Sequence, residues 1–91
     1  MTLSEQEKKV LFVGAYRYAF GRQTYIVSMT IDLLKTHWKD IPDDVKAIIT
    51  RDLIREYEWA MEYDDWWKFG GDIDKSSWLE FMDFIGVQSN A

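Results

Sequence analysis

Apolar residues recur every three or four positions along most of this chain, and the runs break at Gly21, Pro42 and Gly70-Gly71. That period belongs to helices with one face buried. Val10, Val13, Gly14 and Arg17 share one helical stripe, and Leu11, Ala15 and Tyr18 the next. The spacing predicts a helix over 4–20 with a wide apolar face. Ser4 with Glu7 fits a capping box, and Thr2 with Glu5 fits nearly as well. Beyond Gly21, the positions Ile26, Thr30, Leu33, Leu34, His37, Trp38 and Ile41 predict a helix over about 22–39. Residues 24–31 are also rich in β-branched side chains, which suits a strand. The period favours helix there and leaves strand open.

Pro42, Asp43 and Asp44 open the third segment. Proline at the first helical position lacks only an N–H that would have no partner, and the two carboxylates suit the positive helix end. Val45, Ile48, Ile49, Leu53, Tyr57, Ala60 and Met61 then make one stripe, so a helix should run to about Trp67 and stop before Gly70-Gly71. Asp72 to Ser77 reads as a polar turn. Trp78, Phe81, Met82 and Ile85 predict a short last helix, with Ser77 and Glu80 as a further capping box, ending at Gly86. Residues 86–91 read as a frayed tail. The predicted fold is all-α: one domain over 1–91, a compact bundle of three longer helices and one short C-terminal helix.

Composition narrows the function classes. Ninety-one residues make one core, and 47% hydrophobic with 30% charged residues excludes a disordered chain. Five Trp, five Tyr and five Phe are many for this length, so aromatics should dominate the core, a binding face, or both. The absence of Cys excludes disulfides, thiolate chemistry and cysteine zinc sites, and a single His leaves few metal ligands. No apolar run approaches signal-peptide or membrane-spanning length, so the expectation is a soluble intracellular protein with no membrane partner.

Charge is unevenly placed. Residues 1–41 carry six basic and four acidic groups, a net +2, whereas residues 42–91 carry five basic and twelve acidic groups, a net −7. Such a chain is poorly suited to phosphate backbones and well suited to basic partner surfaces.

Several constellations carry candidate chemistry. Asp72-x-Asp74-x-Ser76, with Glu80 and Asp83 beyond, loosely resembles a calcium loop. The glycine and glutamate that such a loop needs are Ser77 and Asp83 here. A helix-capping role for Asp74 or Ser77 is the better reading. Ser28, Asp32 and His37 can be drawn as a triad, but residues on one helix do not converge on a nucleophile and an oxyanion hole. No metal, no cofactor, no catalytic residue and no enzyme activity is therefore expected. Arg17 and Arg22 flank Gly21 and suit either an anion or an internal ion pair with an acid such as Asp52 or Asp72. Glu56, Glu58, Glu62, Asp64 and Asp65 interleave with Tyr57, Trp59, Tyr63, Trp66 and Trp67. Positions 59, 63, 66 and 67 lie off the stripe of 53, 57 and 60. The candidate partner-binding face is thus Glu56, Glu58, Trp59, Glu62, Tyr63, Asp64, Asp65, Trp66 and Trp67, the mix found at interface hot spots. A solvated helix face, its Trp residues covered by another helix, is the alternative.

Arg17-Tyr18-Ala19-Phe20-Gly21-Arg22-Gln23-Thr24-Tyr25 resembles the Arg-Tyr-Ala-Leu-Gly-Arg-x-Thr-Tyr signature of small proteins encoded by tailed bacteriophages and prophages. Gly71-Asp72-Ile73-Asp74 followed by Trp78 resembles their C-terminal Gly-x-Asp-x-Asp-x-x-x-Trp element. This chain departs from the pattern in having Phe20 where an aliphatic residue is usual and more Trp in its third helix. The resemblance implies a phage setting, hence the cytoplasm of a bacterial host, and no particular activity. The signature positions also suit a pairing of Arg17 or Arg22 with Asp72 or Asp74.

Together these features lead to a small acidic protein that binds and inhibits a host protein or complex. A defence or nucleic-acid-handling complex is the expected target, so the chain resembles anti-CRISPR or anti-restriction proteins in character only. One alternative is a nucleic-acid or nucleotide module using Arg17, Arg22, Tyr16, Tyr18 and Tyr25. Another is a subunit that self-associates, for example as a homodimer.

Overall fold

The computed structural model describes residues 3–22 and 25–86, and among them it is all-α. Four α-helices follow in order: α1 (Glu5–Ala19), α2 (Tyr25–His37), α3 (Asp43–Tyr63) and α4 (Gly71–Phe84). Single turns of 3₁₀ helix at Trp38–Asp40 and Trp67–Phe69 join α2 to α3 and lead into α4. α2 packs against α1 and α4, and α1 also packs on α3. The bundle extends 43 × 25 × 17 Å. No helix among the described residues is long and apolar enough to cross a membrane.

The helix starts follow local chemistry. Ser4 Oγ accepts from the Glu7 N–H at 3.1 Å, and Glu7 Oε1 accepts from the Ser4 N–H at 2.9 Å. The capping box therefore forms as the sequence implies; Thr2 lies outside the described residues. Asp43 and Asp44 sit in the first turn of α3, directly after Pro42. Lys9 Nζ reaches Asp44 Oδ2 at 2.8 Å and ties α1 to that turn. Tyr25 onward is helix, which settles residues 25–31; Thr24 lies outside the described residues.

Two boundaries differ from the sequence reading. α3 stops at Tyr63 instead of near Trp67, because Asp64 adopts a left-handed backbone (φ 51°) and its N–H returns to the Ala60 carbonyl. Aspartate tolerates that conformation better than most residues. The polar run 72–77 is helix, not a turn, so α4 has 14 residues against 13 in α2 and is not a short appendage. Gly70, at φ 82°, turns the chain straight into α4. Asp74, one turn before Trp78, falls on the buried side of that helix.

The core joins Phe12, Tyr16 and Ala19 of α1 to Val27, Ile31 and Leu34 of α2. Val45, Ile49, Leu53, Tyr57 and Ala60 of α3 and Trp78, Phe81 and Met82 of α4 complete it. α1 buries neither of the stripes its spacing suggested: Val10, Leu11 and Tyr18 are exposed. At the C-terminal end of α1, Phe20 meets Trp78 edge-on at 5.0 Å and Phe69 edge-on at 5.4 Å, while Tyr16 stacks on it at 5.4 Å. Edge contacts of this kind match the ring quadrupoles. They fasten the end of α1 to the segment that begins α4.

Candidate partner-binding face

Burial of Leu53, Tyr57 and Ala60 forces positions 58, 59, 62 and 63 of α3 outward, by helix geometry alone. Glu58 and Glu62 are exposed there, beside Trp59 at 52% and Tyr63 at 57% exposure. The Trp59 and Tyr63 rings lie one turn apart with centroids 4.2 Å apart. Asp64 then bends the chain, and Asp65 Oδ1 accepts from the Trp67 N–H at 3.4 Å. Trp67, 64% exposed, lays its ring against Gly21, where a Cβ would stand 2.9 Å from Cζ3. Gly21 also has φ +90°, so glycine is required there both for the turn and for Trp67. A cleft of about 110 Å³ opens between Trp59 and Trp67, lined as well by Glu56, Asp65, Lys68 and Phe69.

Two of the nine residues expected on this face turn inward. Glu56 is largely buried and holds Lys68 Nζ at 3.2 Å, with Arg55 Nε at 3.9 Å. Trp66 packs on Tyr57 at 5.8 Å and Phe69 at 5.5 Å, with Lys75 Nζ 3.7 Å from its ring centre. It serves the edge of the core and a cation–π contact. The sequence placed Trp66 outside because α3 was extended through it; the break at Asp64 rotates it inward.

Among the described residues Arg17 and Arg22 make no ion pair with Asp52 or Asp74. Arg22 Nε donates to the Tyr18 carbonyl at 2.6 Å, and its guanidinium lies 4.4 Å over the Tyr18 ring. Arg17 is exposed and forms no ion pair among the described residues. Asp52 pairs with Arg55 at 3.3 Å instead. The Asp72 side chain lies outside the described residues. Asp74 is 8% exposed, and its Oδ2 has no hydrogen-bond partner among the described residues. The two signature elements do meet, but through the edge-on contact of Phe20 with Trp78.

The other drawn constellations come apart. Ser28 and Asp32 are exposed on α2, and His37 Nδ1 faces Asp40 Oδ2 at 4.0 Å. Residues 71–84 form one helix, so no calcium loop exists there. No cluster of three or more His, Asp or Glu among the described residues is arranged to hold a metal ion.

Sequence reasoning missed a second cleft, of about 140 Å³, between the end of α1 and α3. Tyr16, Arg17, Phe20, Asp52, Arg55, Glu56 and Lys68 line it. The available signal was a tyrosine on the Phe12–Ala19 stripe, one turn before Phe20. In comparisons with protein-family models, curated proteins and solved structures, the chain matches none.

Proposed function

We propose that this is a small acidic phage-encoded protein that binds and inhibits a host protein, the target being a defence or nucleic-acid-handling complex. One observation carries the reading: Trp59, Tyr63 and Trp67 stand more than half exposed beside Glu58, Glu62, Asp64 and Asp65. Large aromatics left in water represent unused burial, and Trp and Tyr anchor interfaces more often than other residues. The carboxylates select a basic surface, such as one that otherwise holds nucleic acid. The cleft between Trp59 and Trp67 suits a lysine or arginine side chain, since ring faces and the Asp65 carboxylate both attract a cation. The phage setting comes from the resemblance carried by residues 17–25 and 71–78.

The test is a paired capture from nuclease-treated bacterial lysate, with the wild-type protein and the Glu58→Lys/Glu62→Lys variant as baits. A stoichiometric host protein held only by the wild type supports the reading. Equal recovery on both baits discards this face.

A second reading, a nucleic-acid module, is favoured by the exposed Arg22–Tyr18 stack and the exposure of Tyr25. The net charge of −5 opposes it. Capture that vanishes with nuclease and on Arg22→Ala would favour it. Recovery of the bait alone, with a mass rising with concentration, would favour self-association.

A further inference from the structure

Tyr16 is 2% exposed, and its hydroxyl is buried with no hydrogen-bond partner among the described residues. Such a group costs free energy unless something outside the chain satisfies it. Burial, reinforced by Asp52 and Glu56 and opposed by Arg17 and Arg55, pushes the phenol far above its ordinary value. It is therefore a proton donor at any physiological pH. Tyr16 itself lines the second cleft, together with Arg17, Asp52, Arg55 and Glu56.

The cleft holds three cations and two carboxylates. Asp52 is bonded to Arg55, and Glu56 to Lys68, which leaves Arg17 as the cation with no ion pair among the described residues. The lining thus has a net charge of +1 and two uncommitted donors, the Arg17 guanidinium and the Tyr16 O–H. We propose that this cleft binds a single carboxylate group, with Tyr16 donating to one oxygen and Arg17 to the other. A neutral occupant would leave Arg17 unpaired. A phosphate dianion would set its second charge against Asp52 and Glu56. The volume of about 140 Å³ admits a carboxylate and the first atoms attached to it, and no nucleotide. The carboxylate belongs either to a free small acid or to the side chain or chain end of a partner protein. Glu58 and Glu62 do not line this cleft, so the proposal does not rest on the acidic face.

The test is an NMR titration of the full-length protein. The probes are sodium acetate, acetamide, sodium chloride, and a short peptide with a free C-terminal carboxylate beside its amide. Acetate and the free-acid peptide should shift the Arg17 Nε–H and the amides of Phe20 and Asp52 saturably. Acetamide, chloride and the peptide amide should not. Tyr16→Phe and Arg17→Gln, each folded by circular dichroism, should each weaken acetate binding by about tenfold or more. A peptide that binds much more tightly than acetate would assign the carboxylate to a partner chain, and equal affinities would assign it to a free small acid. The proposal is overturned by an absence of saturable shifts, by acetamide matching acetate, or by both variants binding acetate as the wild type does.

Discussion

Replacing Gly70 with alanine should destabilise the protein much more than the same change at Gly86, although the two glycines share nearly the same backbone. Their φ angles are 82° and 80°. In that region a Cβ alone costs about 1–2 kcal/mol. At Gly86 nothing among the described residues lies within 4 Å of the added methyl, so the backbone cost is the whole effect. At Gly70 the methyl runs into Asp74 Cβ, with Asp74 Oδ2 at 2.9 Å. A Cβ cannot rotate away from its backbone, so the first turn of α4 must move. Trp78, one turn further on and fully buried, must move with it. Overpacking of this kind costs about 1–3 kcal/mol. Gly70→Ala should therefore lose about 2–5 kcal/mol, out of roughly 5–14 kcal/mol for a domain of 91 residues. Urea unfolding followed by far-ultraviolet circular dichroism reads both variants. If Gly70→Ala lies within about 0.5 kcal/mol of Gly86→Ala, the clash argued between Gly70 and α4 is wrong.

Three more outcomes follow from the same contacts. In carboxylate-free buffer Tyr16→Phe should leave stability unchanged or raise it, since the lost hydroxyl has no partner; a loss above about 1 kcal/mol in thermal or urea unfolding would mean that it has one. Ser4→Ala should lower Tm by about 4–8 °C through loss of the α1 cap, measured by calorimetry. The Ser4 N–H and hydroxyl hold the Glu7 carboxyl below its ordinary value, so this linkage is present above the unfolded carboxylate pKa and lost as pH falls through the lower folded one. A Glu7 NMR titration midpoint at the ordinary value of an exposed glutamate would contradict the box. Lys9, bonded to Asp44 at 2.8 Å, likewise holds that carboxyl low. Lys9→Met should raise the Asp44 midpoint toward the ordinary value, and an unmoved midpoint would show that the pair does not form in solution.

The helices were legible where one strong local signal stood alone. Ser4 with Glu7 marked the start of α1, Pro42-Asp43-Asp44 that of α3, and Trp78, Phe81 and Met82 the buried side of α4. The reading failed where signals conflicted. From Val10 onward α1 is apolar on nearly every side, so its period did not single out Phe12, Tyr16 and Ala19 as the buried positions. Asp74 is a buried acid, and its polarity hid the first turns of α4 behind an apparent loop. No glycine or proline announced the end of α3, because Asp64 itself takes the left-handed turn. Within the candidate face, Trp59, Tyr63, Glu58 and Glu62 could be placed from helix geometry. Trp66 and Glu56 could not, since their burial depends on Phe69, Lys75 and Lys68 beyond that turn. The cleft at Tyr16 joins α1 to α3, and no single stretch of sequence describes it.

The most direct measurement of the central claim is the affinity of the purified host partner for the wild type and for Glu58→Lys/Glu62→Lys, by isothermal titration, with Tm recorded alongside. The two glutamates are exposed and absent from the ion pairs found among the described residues, so Tm should stay within a few degrees. The account predicts that Kd rises by about thirtyfold or more, the scale of a hot-spot loss. A Kd within about twofold of the wild type, with the fold intact, would contradict it.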